Sequence, residues 1–278
     1  MSESGAGPGA FAKAFDARAR QVVAAWQRSP TNKAWRTGVV LLNADQLTLL
    51  PKTGFPSGQT KIAFVTGNLV VAGRLPAGPK NGTVAWAGGG TATVPLLTAA
   101  QALTPLTKSS PCPAGAGACG HLTVTGAKPA TLTVATSRGE ATVPAWAFTV
   151  KELSFPIIQS ALAPSGYLLL PDSSAFALTK DDGFGGAGGA SVSANGRELT
   201  VQFTTGVCID KWGGLQYATG SAVVIGSWTQ AANTNTPCAA MAVMRSATVR
   251  LARPLGDRVL LDAGTGLPVV LTQPTLPG

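Results

Sequence analysis

The apolar segments of this sequence are short, and glycine and proline interrupt them frequently. The 278 residues include 34 Gly and 20 Pro, whereas charged residues make up only 12%, about half of the ~25% usual for a soluble domain. So many turn residues exclude a coiled coil or a bundle of long helices and favour short strands joined by turns. With 45% hydrophobic residues the chain can bury a sizeable core, which argues against intrinsic disorder. Because no apolar run approaches ~20 residues, we expect no transmembrane segment.

One amphipathic helix is predicted near the N-terminus, over residues 10–30. At about 100° per residue, the large apolar side chains fall on one side of this helix: Phe11, Phe15, Val22 and Trp26. Ser29-Pro30 ends the pattern. We expect the apolar side to pack on the domain that follows, and we interpret residues 1–9, which are mostly small, as a flexible tether.

From residue 37 onward, short alternating segments predict antiparallel strands. Segments 61–66 and 69–73 flank Gly67-Asn68, where we expect a hairpin because glycine accepts the positive φ of a tight turn. Asn195-Gly196 predicts a second hairpin for the same reason.

Turn residues cluster between 155 and 166, and we place a boundary between two domains there. The predicted order is a tether over 1–9, a helix over 10–30, a first β domain over 31–160 and a second over 161–278. The predicted fold class is therefore mainly β, with an N-terminal helix followed by two antiparallel β-sandwich or barrel-like domains.

Basic residues outnumber acidic ones by nine, and the whole excess lies in the first half of the chain. Residues 1–152 carry 14 basic and 5 acidic side chains, whereas residues 153–278 carry 7 of each. The basic residues are scattered and aromatic residues are only 6%, while nucleic-acid-binding surfaces concentrate charge and interleave aromatic rings. We expect no nucleic-acid partner, and any anionic partner should meet the first domain.

Four cysteines, Cys112, Cys119, Cys208 and Cys238, allow three disulfide pairings. The local pairing, Cys112 with Cys119 and Cys208 with Cys238, needs the least rearrangement of the chain. Disulfides persist in oxidising compartments, so we expect an extracellular or cell-surface protein whose leader has been removed. Zinc binding by Cys112, Cys119 and His121 is disfavoured because the segment lacks a Cys-x2-Cys pair.

No catalytic residue, cofactor or metal is predicted. Segments 115–120 and 183–188 both match G-x-G-x-x-G, but neither lies between a strand and a helix, as a dinucleotide site requires. The adjacent acids at 181–182 lack the spacing of an EF-hand, which favours a solvated turn. A serine hydrolase would have to use His121, the single histidine, and no G-x-S-x-G segment is present.

Trp212 is the best candidate for exposed recognition among six tryptophans. Turn residues surround it and Tyr217 is close by in sequence, so the two rings could stack on a sugar. Trp86, Trp146 and Trp228 lie in strand patterns, which predicts that they belong to the core.

Two segments, TSRGEATVPAWAFTV (136–150) and TVRLARPLGDRVLLD (248–262), resemble a family of secreted or lipid-anchored actinobacterial (Streptomyces-like) proteins of unknown function. The stretch WRTG (35–38) is similar too, so the likeness spans most of the chain. The resemblance implies export, a high-GC Gram-positive source and paired cysteines in the second half. It implies no catalytic residues.

The expected function is therefore that of a secreted or cell-envelope-tethered binding or structural protein. Its expected partner is an envelope polymer, a glycan or another secreted protein. One alternative is a hydrolase of an envelope polymer or glycan, with a cleft between the domains. Another is the subunit of a self-assembling oligomer or filament, because uncharged strand edges can join copies.

Overall fold

The computed structural model describes residues 8–50, 54–113, 119–170, 186–232 and 238–271. The chain divides into two compact units. The terminal unit combines Met1–Asn32 with Pro171–Gly278, and the central unit is Lys33–Leu170. The predicted β domains were 31–160 and 161–278. The boundary between the units lies after residue 170, ten residues further along the chain than the predicted one. Residues 1–7 of the predicted tether lie outside the described residues.

The described residues form helices, 3-10 helices and strands in the following order. The α-helices are α1 (Pro8–Arg28), α2 (Pro30–Ala34), α3 (Gly58–Val65) and α4 (Ala99–Leu103), and the 3-10 helices are Ala44–Leu47, Thr104–Thr107 and Pro164–Gly166. The strands of the central unit are β1 (Val40–Leu41), β2 (Thr48–Leu49), β3 (Leu69–Val71), β4 (Asn81–Trp86), β5 (Thr91–Pro95), β6 (Leu122–Thr136), β7 (Gly139–Val150), β8 (Ile157–Ser160) and β9 (Leu168–Leu169). Those of the terminal unit are β10 (Gly189–Val192), β11 (Glu198–Gly206), β12 (Ile209–Ala218), β13 (Ala222–Ala231), β14 (Ala242–Arg250) and β15 (Val259–Asp262).

The prediction of a mainly β chain with an N-terminal helix is confirmed. The strands are not all antiparallel, because β1 with β9, β3 with β6 and β13 with β15 are parallel pairs. No sheet formed by the described residues closes into a barrel.

In the terminal unit, two three-stranded sheets share one core. Their orders are β10–β11–β14 and β12–β13–β15. Side chains from both sheets form one buried cluster, which includes Leu199, Phe203, Ile225 and Leu260. Strand β13 is buried along most of its length because α1 packs on the side of β13 opposite this cluster.

The buried side of α1 follows the period of a helix. Its fully buried residues lie three or four positions apart, as an apolar stripe requires: Phe15, Ala19, Val22 and Trp26. Phe15 contacts the position of Gly226 on β13, where a Cβ would lie 3.0 Å from the ring. The expectation that this helix packs on the domain after it is therefore wrong. Nothing in the amphipathic pattern specifies which apolar sheet covers it.

Arg18 lies on the same buried side of α1 and is only 5% exposed. Its Nε donates to the carbonyl of Ala263 at 2.9 Å, and its Nη2 donates to the carbonyl of Gly264 at 2.9 Å. These bonds satisfy a guanidinium that would otherwise be costly to bury. They fix the helix to the turn that follows β15.

The carboxylate of Asp262 holds the same turn from the other side. It is 3% exposed and accepts hydrogen bonds from the backbone N–H of Ala187 at 2.9 Å and from the N–H and hydroxyl of Thr265 at 2.8 Å each. Arg18 and Asp262 therefore brace one turn with charged groups that each have hydrogen-bond partners.

The central unit is built on one long antiparallel ribbon, β6 with β7. The outer edge of β6 pairs with β3 near its start and with β1 at its end. The outer edge of β7 pairs with β4 and then with β8. Strands β5, β2 and β9 extend these neighbours, which gives a nine-stranded sheet. Trp86 on β4 and Trp146 on β7 are buried, as predicted, whereas Trp228 on β13 is only half-buried.

The predicted hairpin at Gly67-Asn68 is wrong, because residues 58–65 form α3 and not a strand. The helix begins with a capping box. The hydroxyl of Ser57 accepts the N–H of Thr60 at 3.1 Å, and the hydroxyl of Thr60 accepts the N–H of Ser57 at 3.1 Å. The hairpin predicted at Asn195-Gly196 is confirmed by the antiparallel pair β10–β11.

Gly67 ends α3 in place of turning a hairpin. Its φ is +68°, its N–H donates to the carbonyl of Phe64 at 3.0 Å, and the N–H of Asn68 donates to the carbonyl of Ala63 at 2.8 Å. This pair of bonds is a Schellman motif, which also requires glycine at positive φ. Positive φ at Gly67 was therefore predicted correctly, but both a hairpin turn and the end of a helix can require it.

We expect the Arg18→Met variant to lose about 2 kcal/mol or more in free energy of unfolding. The substitution leaves two carbonyl groups without their donors, and each orphaned buried acceptor costs about 1–3 kcal/mol. Urea unfolding followed by tryptophan fluorescence measures the loss. Lys13→Met, at an exposed position of the same helix, is the matched control and should cost no more than about 0.5 kcal/mol. Equal losses for the two variants would contradict the bracing role of Arg18.

Candidate functional site

Both predicted disulfides are present, Cys112 with Cys119 in the central unit and Cys208 with Cys238 in the terminal unit. The local pairing is therefore confirmed. Their sulfurs are bonded to each other and are not the thiolates that a zinc site with His121 would require.

Trp212 and Tyr217 do not share a surface. They lie five residues apart on β12, and residues an odd number apart on a strand point to opposite sides. The half-buried ring of Trp212 faces β14, where its Nε1 donates to the carbonyl of Ser246 at 3.1 Å and the guanidinium of Arg245 lies 4.4 Å from the ring centre. Tyr217 faces α1, with Arg20 at 5.8 Å. The ligand-binding role of either ring stays a prediction.

The other sequence motifs give no assembled site. His121 is exposed just before β6, and no group of three or more His, Cys, Asp or Glu is found in the described ranges. Segment 180–183, residues 115–118 of the first G-x-G-x-x-G match and residues 183–185 of the second lie outside those ranges. Of the helices that the structure describes, none has the length and apolar character to cross a membrane.

The central unit has one strand edge whose exposed groups the sequence did not indicate. Strand β3 pairs with β6 alone among the described strands. The N–H of Ala72 donates to Val124 at 2.9 Å and the carbonyl of Asn68 accepts from Leu122 at 2.9 Å, so these positions face β6. Because the backbone groups of alternate residues point to opposite edges, the N–H and carbonyl of Val71 face away from β6. In the described part of the chain, no strand pairs with that edge.

The strand that carries this edge exposes apolar side chains. Val70 and Val71 are each 45% exposed. Such exposure of β-branched residues beside an unpaired strand is typical of a surface that another chain covers.

An open cavity of about 460 Å³ lies between the end of β3 and the α4 segment. One wall is formed by Val71, Gly73, Arg74 and Leu75, and the facing wall includes Ala100 and Leu103. Leu103 is 2% exposed and belongs to the core, so the cavity is bounded by a packed side chain. Its size falls in the range of about 300–1,000 Å³ that is typical of ligand sites.

The start of β3 is held in place by the first disulfide loop. The side-chain Nδ2 of Asn68 donates to the carbonyls of Gly120 at 2.7 Å and Cys119 at 3.4 Å. A Cβ on Gly67 would collide with the backbone of Lys108, which shows how closely the two segments pass. The strand that carries this edge is therefore fixed at its start by hydrogen bonds.

Glu152 supports the neighbouring strand β6 at Thr123, the residue in register with Val70. Its carboxylate accepts the backbone N–H of Thr123 at 2.7 Å and the hydroxyl at 3.0 Å. Burial raises the pKa of Glu152, but the hydrogen bonds to Thr123 and to its own backbone, together with the charge of Lys151, lower the net pKa.

The central unit is strongly basic. Residues 33–170 contain ten Lys and Arg but only three Asp and Glu, whereas the terminal unit holds eleven against nine. The three acids are Asp45, Glu140 and Glu152, and none of them lines the cavity. This candidate site therefore presents a cation, Arg74, beside apolar walls.

Comparison of the chain with models of protein families, with curated proteins and with solved structures finds no match. The resemblance to exported actinobacterial proteins therefore stays a prediction.

We expect Glu152→Gln to lower the free energy of unfolding at pH 7, and the deficit to shrink in acid. A folded-state pKa below the unfolded value, which is ordinarily about 4.3, gives stability that is present above this value and is lost as the pH falls. Urea unfolding of both proteins between pH 7 and pH 3 measures the difference.

Glu140→Gln, at the exposed start of β7, is the matched control for this titration. A deficit for Glu152→Gln that stayed constant across the pH range would show that its hydrogen bonds to Thr123 do not depend on ionisation.

Proposed function

We propose that this chain is an exported binding protein that captures an extended peptide segment of another protein by adding it as a strand to β3. The unpaired edge of β3 is the observation that carries the proposal. Its N–H and carbonyl groups at Val71 are placed as a neighbouring strand would meet them. The exposed side chains of Val70 and Val71 would be partly covered by the added strand.

The short edge supports reversible binding. Strand β3 has three residues, and each net hydrogen bond contributes only about 1 kcal/mol. Most of the affinity must therefore come from side chains, and the cavity beside the edge supplies a place for them. The fixed start of β3 lowers the entropy cost, since the strand is already ordered by Asn68 and the disulfide loop.

The two disulfides support an extracellular or cell-surface location, because such bonds persist in oxidising compartments. The proposed partner is another exported protein with an accessible extended segment. Glycan binding and hydrolysis of an envelope polymer stay predictions, because no observed geometry favours either.

We expect Val71→Pro to weaken peptide binding at least about tenfold, or ~1.4 kcal/mol. Proline removes the outward N–H, while the bonds from β3 to β6 involve the residues on either side of Val71. The probe is a displayed library of random linear peptides. Enriched peptides are synthesised with a fluorescent label, and their dissociation constants are measured by anisotropy.

Thr93→Pro is the matched control. Thr93 lies on β5, another edge strand of the same sheet, and its N–H also faces away from its partner strand. Binding should survive this change, and the amide of Val71 should exchange more slowly when peptide is bound. A library that yields no binding peptide, or equal effects of the two prolines, would overturn the proposal. A concentration-dependent dimer that Val71→Pro abolishes would instead assign the edge to a second copy of this chain.

A further inference from the structure

The cavity beside β3 has the chemistry to select among peptides, an inference that rests on the proposed strand addition. Its apolar walls and its single charged lining residue lie next to each other. We infer that the bound segment carries a carboxylate beside an apolar side chain. Arg74 binds the carboxylate, and the cavity receives the apolar group.

Position on the strand favours this arrangement. A chain added along the outer edge of β3 would point alternate side chains to the side of Val71, which lines the cavity. On that side, a ligand side chain would contact the apolar side chains of Val71, Leu75, Ala100 and Leu103. An apolar side chain of the ligand would therefore lose water on entering, which is the main source of binding free energy here.

Arg74 is the polar element of this cavity. Its side chain is exposed, and in the part of the chain that the structure describes no hydrogen bond, ion pair or stacked ring engages it. The guanidinium presents five N–H donors in a planar fork that matches a carboxylate. Binding an anion there requires no existing ion pair to break.

The threonines of the cavity do not compete for the anion. The hydroxyl of Thr104 donates to the carbonyl of Ala100 at 3.2 Å, and the hydroxyl of Thr107 donates to the carbonyl of Thr104 at 3.0 Å. Because both hydroxyl protons are already donated to carbonyls, Arg74 is the free side-chain donor among the lining residues. The planar fork of Arg74 can form two parallel N–H···O bonds to a carboxylate, and apolar side chains lie beside it.

The charge of the central unit points in the same direction. Ten basic residues against three acidic ones give it a net charge of +7, and the acids lie away from the cavity wall. An acidic segment would be attracted to this unit, and salt would weaken that attraction.

Arg74→Gln tests the recognition of the carboxylate. We expect it to weaken acidic peptides by about tenfold and to leave their neutral analogues unchanged. Lys80→Gln, an exposed basic residue of the same unit outside the cavity wall, should change neither. The peptides are those enriched from the library. Each is compared with a variant in which Asp or Glu is replaced by its amide, and with a form whose C-terminus is amidated. These two arms distinguish a side-chain carboxylate from a terminal one.

Ala100→Trp tests the cavity. Ala100 is an exposed lining residue, so a large ring there should fill the space without disturbing the core, and we expect at least about tenfold weaker binding. An unchanged melting temperature is the check on folding. Binding that Ala100→Trp leaves intact would overturn the cavity as the side-chain site.

The outcomes separate this inference from the proposed function. Peptides that lose affinity with Val71→Pro but bind Arg74→Gln as well as the native protein would overturn the carboxylate inference and leave strand addition standing. Neutral analogues that bind the native protein as tightly as acidic peptides would overturn it too. Loss of acidic specificity in Arg74→Gln, together with equal weakening of all peptides by Val71→Pro, supports both.

Discussion

The pairing of β6 with β7 is the interaction on which the central unit depends. Its register runs without interruption from Gly126 opposite Thr149 to Thr136 opposite Gly139. The two strands follow each other in sequence, so the contacts of this ribbon are local and need no distant segment of the chain. The remaining strands of the sheet are attached to its two outer edges, directly or through one neighbour.

That arrangement explains why β3 is short. Strands β3 and β1 share the outer edge of β6 at opposite ends, so neither extends along its full length. Gly73, with φ of +104°, and the charge of Arg74 lie two and three residues after the end of β3 and limit how far any strand could pair. A three-residue edge with a charge at its end resists indiscriminate aggregation while remaining open to a suitable segment.

Most elements set by local signals were predicted, whereas the errors concern residues 58–65, a helix predicted as a strand, and the sheet that α1 contacts. The helix near the N-terminus and the turn at Asn195-Gly196 depend on nearby residues, and both were predicted. The positive φ of Gly67 was predicted correctly. The capping box that begins with Ser57 was missed, however, so a hairpin was predicted where a helix ends. Arg18 and the β3 edge could not be predicted, because their roles depend on Ala263 and Leu122, which are distant in sequence.

The terminal unit combines two segments that are far apart in the sequence, which has a consequence for biosynthesis. The bond between Arg18 and Ala263 spans 245 residues, and the whole central unit lies between them in the chain. A chain made from its N-terminus can fold residues 33–170 while α1 still has no sheet to cover its apolar side. Until β13 and β15 emerge, Phe15, Val22 and Trp26 remain exposed to water or to a chaperone. The apolar side of α1 therefore stays uncovered while the whole central unit is synthesised.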